Sequence, residues 1–268
     1  MLFGFQIEAE DAIRFTVFVV VLTAMLVWEW KRPRRASGVA RALRWPANLA
    51  LSITNQIVIT AAAPLFVVAA ALLNEPTAWG LLHAFDLPAA TVYLGALVLL
   101  DLTLYLQHRL MHAVPWFWRM HRVHHADTHM DATTGIRFHP FEIIVSTFIK
   151  IAAVIAIGAP LGAVLLGELL LNASAMFTHG NVEIAPRLDR TLRKLIVTPD
   201  MHRVHHSAVA DEHNSNFGFN LSIWDRLFRT YREQPMHGHA GMQVGLPIYR
   251  APREARFARL LVQPFTSR

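Results

Sequence analysis

Long apolar runs alternate with short polar segments in the first 106 residues of the chain. Three of these runs are Ile13 to Trp30, Asn48 to Leu73 and Ala89 to Leu106. A membrane-spanning helix needs about 20 mostly apolar residues to cross a hydrocarbon core of about 30 Å. Each run approaches or exceeds that length, so the pattern predicts three transmembrane helices.

A fourth apolar region, Ile143 to Met176, is interrupted by the sequence GAPLG at Gly158 to Gly162. Glycine and proline at such a break end one helix and let another begin. The region therefore predicts either a helical hairpin that enters the membrane and returns, or one span followed by a buried helix. The expected fold is all-α: an integral membrane bundle of about four transmembrane or hairpin helices, capped by a cytoplasmic helical domain.

Composition agrees with a membrane protein, and the basic residues give it an orientation. Hydrophobic residues make up 54% of the 268 positions and charged residues only 16%, against about 25% charged in soluble domains. Six basic residues lie between Lys31 and Arg44, and none lies between Arg44 and Arg109. Because cytoplasmic loops carry the excess of Lys and Arg, we expect the N-terminus outside and the region after the third helix in the cytoplasm.

The net charge of +6 does not indicate nucleic acid, because no motif that reads nucleic acid is present. It is explained by the membrane topology and by contact with lipid headgroups. The expected location is a bacterial inner membrane.

Histidine is unusually frequent, with 15 copies, and cysteine is absent. The hexapeptide MHRVHH occurs at Met120 to His125 and again at Met201 to His206, while the sequences around the two copies differ. A third histidine motif, HRLMH, follows the third apolar run and contains two histidines. Spacings of three and four residues place imidazoles on one face of a helix. The histidines of these three boxes are His108, His112, His121, His124, His125, His202, His205 and His206.

Eight imidazoles beside membrane helices would be costly to bury as unpaired polar groups. A shared metal core satisfies them all, and neutral imidazole binds Zn, Fe, Cu and Ni. Eight ligands are too many for one ion, so the boxes predict a two-metal site that uses one ligand geometry twice. Three other histidines, His83, His237 and His239, lie in loop or tail sequences and are expected to be ordinary surface residues.

The three boxes, together with RFHP and NSNFGFNLSIWDRLFRTY, resemble the fatty acid hydroxylase/sterol desaturase superfamily. The resemblance covers roughly Asp101 to Tyr231 and implies a membrane-bound, non-haem di-iron enzyme. It implies that the eight box histidines are metal ligands, that His179 is a further ligand, and that His139 in RFHP is another candidate. The chain differs at Arg229, where the family usually has glycine, and at Phe217, where tyrosine is common.

Enzymes of this family use O2 and electrons to hydroxylate or desaturate an unactivated C–H bond of a lipid. The resemblance therefore implies two iron ions (or zinc in purified protein), O2 as co-substrate, and a separate electron donor such as a ferredoxin, a cytochrome or a reduced pterin. Fatty acyl, sterol, carotenoid and alkylglycerol lipids are all compatible with these boxes. The alternative is a membrane metal-binding protein or a zinc-dependent enzyme without oxygenase activity, although no HExxH motif supplies a hydrolase's glutamate base.

Polar residues near the boxes are candidates to hydrogen-bond the metal ligands. Asp101 lies seven residues before His108 on the same helical face, so it either bonds a ligand's second nitrogen or makes a polar contact between helices. Glu142, Asn216 and Asp225 are similar candidates. The aromatic residues Trp116 to Trp118 are expected to form an interfacial belt or to line the entrance for the lipid chain.

The same pattern divides the chain into three parts. Residues 1–107 hold the N-terminal transmembrane helices, and residues 233–268 form a cytoplasmic C-terminal tail. Between them, residues 108–232 form the histidine-box region that we expect to be catalytic, with a membrane hairpin at about 142–178.

Overall fold

The computed structural model describes residues 2–36, 41–61 and 80–266. Within these residues the chain is helical without strands, and isolated β-bridges join a few loops. We number the principal helices α1 (Leu2–Lys31), α2 (Arg41–Ala61), α3 (Ala89–Ala113), α4 (Pro115–His125), α5 (Pro140–Ile157), α6 (Leu161–His179), α7 (Pro186–Leu192), α8 (Pro199–His205), α9 (Ile223–Leu227) and α10 (Phe257–Val262).

Four stretches are long and apolar enough to cross a membrane: Asp11–Lys31 within α1, and the helices α3, α5 and α6. They coincide with the first, third and fourth apolar regions of the sequence. The predicted all-α membrane bundle is therefore confirmed. The second predicted span, Asn48 to Leu73, is described only as far as Ala61, where α2 ends. Its remaining residues, 62–73, lie outside the described residues.

The interrupted apolar region folds as two helices joined by a tight connection. The helix α5 ends at Ile157, Gly158 follows with a φ of 71°, and α6 begins at Leu161. Glycine takes this left-handed conformation without steric cost, so it ends α5 at this point. So short a connection returns the chain antiparallel, which is the hairpin alternative of the sequence analysis.

The helix ends that carry the histidines meet at one end of the bundle. Near the end of α1, the Glu29 carboxylate accepts hydrogen bonds from the backbone N–H groups of Ala132 and Asn181 at 2.7 and 2.9 Å. The Tyr93 hydroxyl donates to the carbonyl of Gly162 at 2.6 Å and joins α3 to α6 at the opposite end. The bundle therefore has a polar end, where α1, α3 and α6 finish and α5 begins, and an apolar body.

Charged side chains also join the spans away from the polar end. A nitrogen of Arg14 in α1 lies 2.9 Å from a carboxylate oxygen of Glu168 in α6. The ammonium of Lys150 in α5 lies 3.7 Å from the same carboxylate. Ionisable groups within spans are costly unless they are paired, so this contact holds the three helices together.

A buried ionic network fixes α2 to the loop after α4. The Arg44 guanidinium donates to Asp127 at 2.7 Å and to Asp131 at 2.8 Å. Arg137 lies beside the same pair and donates to the carbonyl of Val123 at 2.9 Å. Burial alone would raise the pKa of Asp127, but the charges of Arg44 and Arg137 hold it below its usual range. Asp127 is therefore a buried carboxylate that stays ionised.

The C-terminal region corrects one expectation about surface histidines. His83 and His237 are exposed, as expected, but His239 is buried. The segment that carries His239 folds back over α8 and brings its Nε2 atom within 3.7 Å of the Asp200 carboxylate. Burial lowers the pKa of His239 to about 4 in spite of that carboxylate. The short HGHAG sequence gave no periodicity from which this burial could be predicted.

Candidate metal centre

Nine histidines form two adjoining groups at the polar end of the bundle. Group 1 consists of His108, His112, His121, His125 and His205. Group 2 consists of His124, His179, His202 and His206. Within each group, one ring nitrogen of every member lies within 4.8 Å of those of the others, and only His112 is partly exposed. The groups touch where the His125 and His206 rings stack with centroids 4.5 Å apart.

The repeated hexapeptide supplies the two groups in mirrored fashion. The first copy, on α4, gives His121 and His125 to group 1 and its middle histidine, His124, to group 2. The second copy, at α8, gives His202 and His206 to group 2 and its middle histidine, His205, to group 1. The last turns of α3 add a second pair to group 1, and the last residue of α6, His179, completes group 2. One helical geometry is thus used twice around one centre.

Oxygen atoms face the outer nitrogen, Nδ1, of six of these rings. The pairs are His108 with the carbonyl of Phe217 (2.8 Å), His112 with the side-chain oxygen of Asn214 (3.3 Å), His121 with the Glu142 carboxylate (2.6 Å), His124 with the carbonyl of Arg137 (3.2 Å), His179 with the carbonyl of Ala175 (2.6 Å) and His205 with the carbonyl of Ser215 (2.7 Å). An oxygen acceptor requires the proton on Nδ1, which leaves a lone pair on Nε2. The surroundings thereby fix the tautomer in which a histidine binds metal through Nε2.

The inner nitrogens then face one another at short range. The Nε2 atoms of His108 and His121 are 3.1 Å apart, and those of His124 and His179 are 3.0 Å apart. With both protons on Nδ1, neither pair forms a hydrogen bond, because each contact joins two lone pairs. Two ligands at right angles around an ion, with bonds of about 2.1 Å, are separated by about 3.0 Å. The spacing therefore fits a bound cation.

Several other nitrogens of the two groups are buried and have no hydrogen-bond partner among the described residues. They are both nitrogens of His125 and of His206, Nε2 of His112 and His205, and Nδ1 of His202. Buried polar atoms are rarely left unsatisfied in proteins, so these also point to a ligand. The pKa values of four histidines of the two groups are well below the usual range: His124, His125, His202 and His206. Burial is the larger cause, and repulsion from neighbouring imidazoles is the smaller one. Neutral imidazoles of this kind are ready to bind metal.

The donor set is made of imidazole alone, since neither group contains an Asp or Glu among the described residues. Such a set suits Zn, Fe, Cu and Ni, and nine donors in two groups fit two ions rather than one. Negative charge enters only indirectly, through the 2.6 Å contact between Glu142 and His121. Of the polar candidates considered from sequence, Glu142 therefore contacts a ring of group 1 directly.

Asp101 takes the other of the two roles considered for it. Its carboxylate accepts hydrogen bonds from the side-chain amide of Asn220 at 2.7 Å and from the Trp224 indole at 2.8 Å, and it touches no ring of the two groups. Seven residues correspond to about 10 Å along a helix, so a shared face with His108 does not bring the two side chains together. Asp101 instead fixes the 220–224 segment to α3.

Asn216 and Asp225 hydrogen-bond backbone groups rather than a histidine ring of the two groups. Asn216 bonds the backbone of Met201 and Arg232. Asp225 accepts the backbone N–H groups of Phe217 and Gly218 at 2.8 and 2.9 Å. Since the carbonyl of Phe217 holds the Nδ1 proton of His108, Asp225 positions that ligand through the backbone.

Three further histidines near the boxes lie outside both groups. His139 caps α5 by accepting the N–H of Phe141 at 3.2 Å, and its other nitrogen lies 3.1 Å from the carbonyl of Leu261. Both ring nitrogens are therefore occupied, and this corrects the candidate ligand list: His139 is a helix cap. His129 and His213 are likewise absent from the two groups.

Aromatic side chains that sequence reasoning did not assign line the two groups. Phe138, in the RFHP signature, stacks on His124 at 4.6 Å with an interplanar angle of 10°. Phe217 presents its edge to His112 at 5.1 Å. Of the expected aromatic belt, Trp116 is exposed, whereas Trp118 lies 4.8 Å from the His112 ring. Both phenylalanines lie in signature segments, which was the available signal.

Arg229, at the position where the related family usually has glycine, has a left-handed backbone with a φ of 58°. This conformation reduces the free energy of unfolding by about 1 kcal/mol for a residue with a Cβ, whereas glycine adopts it without that cost. We expect Arg229→Gly to raise the Tm of the purified protein by about 2–4 °C. Arg190→Gly, the same change inside α7, should lower the Tm, because glycine destabilises a helix interior. A lower Tm in both variants would contradict the backbone explanation.

The chain is similar to proteins that are named as lipid hydroxylases and monooxygenases. A family model described as fatty acid hydroxylase matches residues 93–230. An ornithine lipid hydroxylase of Rhizobium tropici is 32% identical over 180 residues, which cover 66% of this chain and 51% of that protein. Alkylglycerol monooxygenases of Danio rerio and Homo sapiens are each 27% identical, over 57% and 58% of this chain.

The chain spans about half of the first of these relatives, and 34% of each of the two monooxygenases. No solved structure matches the chain. The matched range 93–230 contains all nine histidines of the two groups.

Proposed function

Because the chain belongs to the fatty acid hydroxylase family, we propose that it is a membrane-bound, O2-dependent di-iron oxygenase that oxidises a C–H bond of a lipid. One observation carries the proposal: nine imidazoles form two adjoining groups in which a ring nitrogen of every member lies within 4.8 Å of those of the others, and in each group one pair of inner nitrogens is only 3.1 or 3.0 Å apart. In this proposal group 1 and group 2 each hold one iron ion. Zinc is the alternative occupant in purified protein.

Iron ions bound there would supply the redox chemistry that activates O2. For hydroxylation the balance is one C–H bond, one O2, two electrons and two protons, giving one C–OH bond and one water. The protein's own contribution is to hold nine neutral ligands in place, to keep the proton on Nδ1 in six of them, and to limit water at the centre. Water is limited because eight of the nine rings are buried and because Phe138 and Phe217 form apolar walls beside them.

Hydroxylation of a membrane lipid is the better supported of the two reactions. The relatives are named as an ornithine lipid hydroxylase and as alkylglycerol monooxygenases, and the family model is described as fatty acid hydroxylase. The centre lies at the ends of apolar spans, where the headgroups and the adjoining parts of the chains of bilayer lipids lie.

The lipid product is the direct test of the proposal. Cells that express the chain and matched cells that lack it are grown under 18O2, and their lipids are compared by mass spectrometry. Hydroxylation adds one labelled oxygen, whereas desaturation removes two hydrogens and adds none. The product should disappear in a His205→Ala strain. Identical lipids with and without the chain, under inducing conditions, would contradict the proposed oxygenase.

We further propose that the centre faces the cytoplasm, where a ferredoxin, a cytochrome or a reduced pterin supplies the electrons. The chain has no cysteine, so single cysteines report their own positions. His83 and Arg256 are both exposed and lie on opposite sides in the proposed topology. A membrane-impermeant maleimide should label His83→Cys in intact cells, and Arg256→Cys only after permeabilisation. Labelling of Arg256→Cys in intact cells would reverse the orientation.

A further inference from the structure

A cavity of about 190 Å³ lies beside group 2, outside the metal centre itself. Its polar lining comes from Arg35, Thr128, His129, Asn181 and Arg203, and no Asp or Glu is among the lining residues. Two of these residues follow ligands closely in sequence: Asn181 comes two residues after His179, and Arg203 directly follows His202. The cavity is therefore built on the same backbone as the metal centre but presents cations instead of neutral imidazoles.

Two buried nitrogens at this cavity have no hydrogen-bond partner among the described residues. They are Nη1 of Arg35 and Nε2 of His129. His129 is nine-tenths buried, so water in the surroundings does not easily satisfy it. The rest of the Arg35 side chain is fixed, because its Nη2 donates to the carbonyl of Met242 at 2.9 Å. The side-chain amide of Asn181 also holds the Arg35 backbone. It accepts the N–H of Arg35 at 3.0 Å and donates to the carbonyl of Arg35 at 2.8 Å.

The charges around the cavity leave one cation uncompensated. Arg203 forms an ion pair with Asp200, and Asp200 forms a second ion pair with Arg34. The nearby carboxylates of Asp127 and Asp131 are already bound by Arg44. Arg35 has no ion pair among the described residues, so an anion entering the cavity meets a fixed guanidinium and the unpartnered Nε2 of His129, which donates to an anion in the tautomer that carries its proton there. A guanidinium fork of this kind suits the oxygens of phosphate.

The position of the cavity along the membrane normal indicates where that anion comes from. Arg35 lies four residues after the end of α1, and Asn181 lies two residues after the end of α6. Both helices are candidate spans, so the cavity lies just past their ends, at the depth of lipid headgroups. We propose that this cavity is a binding site for a phosphate-type oxyanion, carried by a lipid headgroup or present as free phosphate.

Binding to the purified full-length protein in a non-ionic detergent tests the site. The probes are dioctanoyl phosphatidate, dioctanoylglycerol as the same lipid without phosphate, and inorganic phosphate. Dioctanoyl phosphatidate should raise the Tm by several degrees, since a ligand that binds only the folded state stabilises it. By titration calorimetry, Arg35→Gln and His129→Gln should each weaken its binding at least tenfold. Arg32→Gln removes an exposed neighbouring charge that does not line the cavity, and it should bind as wild type does.

The outcomes separate the two sources of the anion from an absence of the site. Binding of dioctanoyl phosphatidate far tighter than that of inorganic phosphate assigns the site to a headgroup, and equal binding of both assigns it to free phosphate. Equal binding of dioctanoylglycerol, no binding of either phosphate, or unchanged affinity in both Arg35→Gln and His129→Gln would overturn the proposal. An equal loss in Arg32→Gln would also overturn it. Binding is measured without turnover, so this result is independent of the proposed oxidation.

Discussion

Replacement of His205 or His124 by alanine should abolish lipid oxidation, with a loss of more than 100-fold. Each is the middle histidine of its hexapeptide. His124 on α4 belongs to group 2, which holds the other two histidines of α8's hexapeptide, and His205 on α8 belongs to group 1, which holds the other two of α4's. Loss of a residue that merely hydrogen-bonds a metal ligand costs about 10- to 100-fold, so loss of a ligand should cost more. His205→Ala should weaken metal binding in group 1, and His124→Ala in group 2.

The control for both variants is His83→Ala, which removes an exposed histidine at the far end of the bundle. Turnover and bound metal of this control should equal those of wild type. The ligand variants should still insert in the membrane, because the spans and their contacts do not involve these rings. Full turnover in His205→Ala would contradict its assignment as a ligand.

Asp127→Ala should be the most destabilising single change outside the histidines. The carboxylate binds Arg44, lies beside Arg137 and is almost fully buried. Its removal leaves the single charge of Asp131 opposite the two buried guanidinium groups of Arg44 and Arg137. Breaking a buried ion pair in this way typically costs about 3–5 kcal/mol of folding free energy. We expect a large fall in Tm or a failure to accumulate in the membrane.

The metal centre should also respond to this change, since the carbonyl of Arg137 holds the Nδ1 proton of His124 at 3.2 Å. Protein that does accumulate should bind less metal in group 2. Asp211→Ala is the matched control, because Asp211 is exposed, and its effect on Tm should be small. Equal stability of the two variants would show that the buried network is dispensable.

The grouping of histidines within each box was predictable from sequence because helical spacing is a local property. Spacings of three and four residues place His121, His124 and His125 on one side of α4 whatever the rest of the chain does. The resemblance to the fatty acid hydroxylase/sterol desaturase superfamily is confirmed by the family match, and His179 joins the eight box histidines. The mirrored division of the two hexapeptides between groups could not be predicted, because it depends on how α4 and α8 cross.

Contacts between distant segments decided what the sequence left open or misplaced. Two roles were open for Asp101, and it takes the polar contact because its partners come from residues 220–224, which no periodicity links to α3. His139 follows a phenylalanine in a signature sequence, yet it caps α5 because Pro140 begins that helix. His239 is buried only because the tail folds back on α8. Helical periodicity describes one element at a time, and each of these outcomes depends on two.

The metal content of the wild-type chain is the most direct test of the dinuclear centre. The full-length protein is purified under anaerobic conditions, reconstituted with ferrous iron and freed of unbound metal. Iron and zinc are then measured by inductively coupled plasma mass spectrometry against amino-acid analysis. Two groups of imidazole ligands predict two ions bound per chain at saturation. A chain that is folded, saturated with iron and yet binds one ion or none would contradict the centre described above.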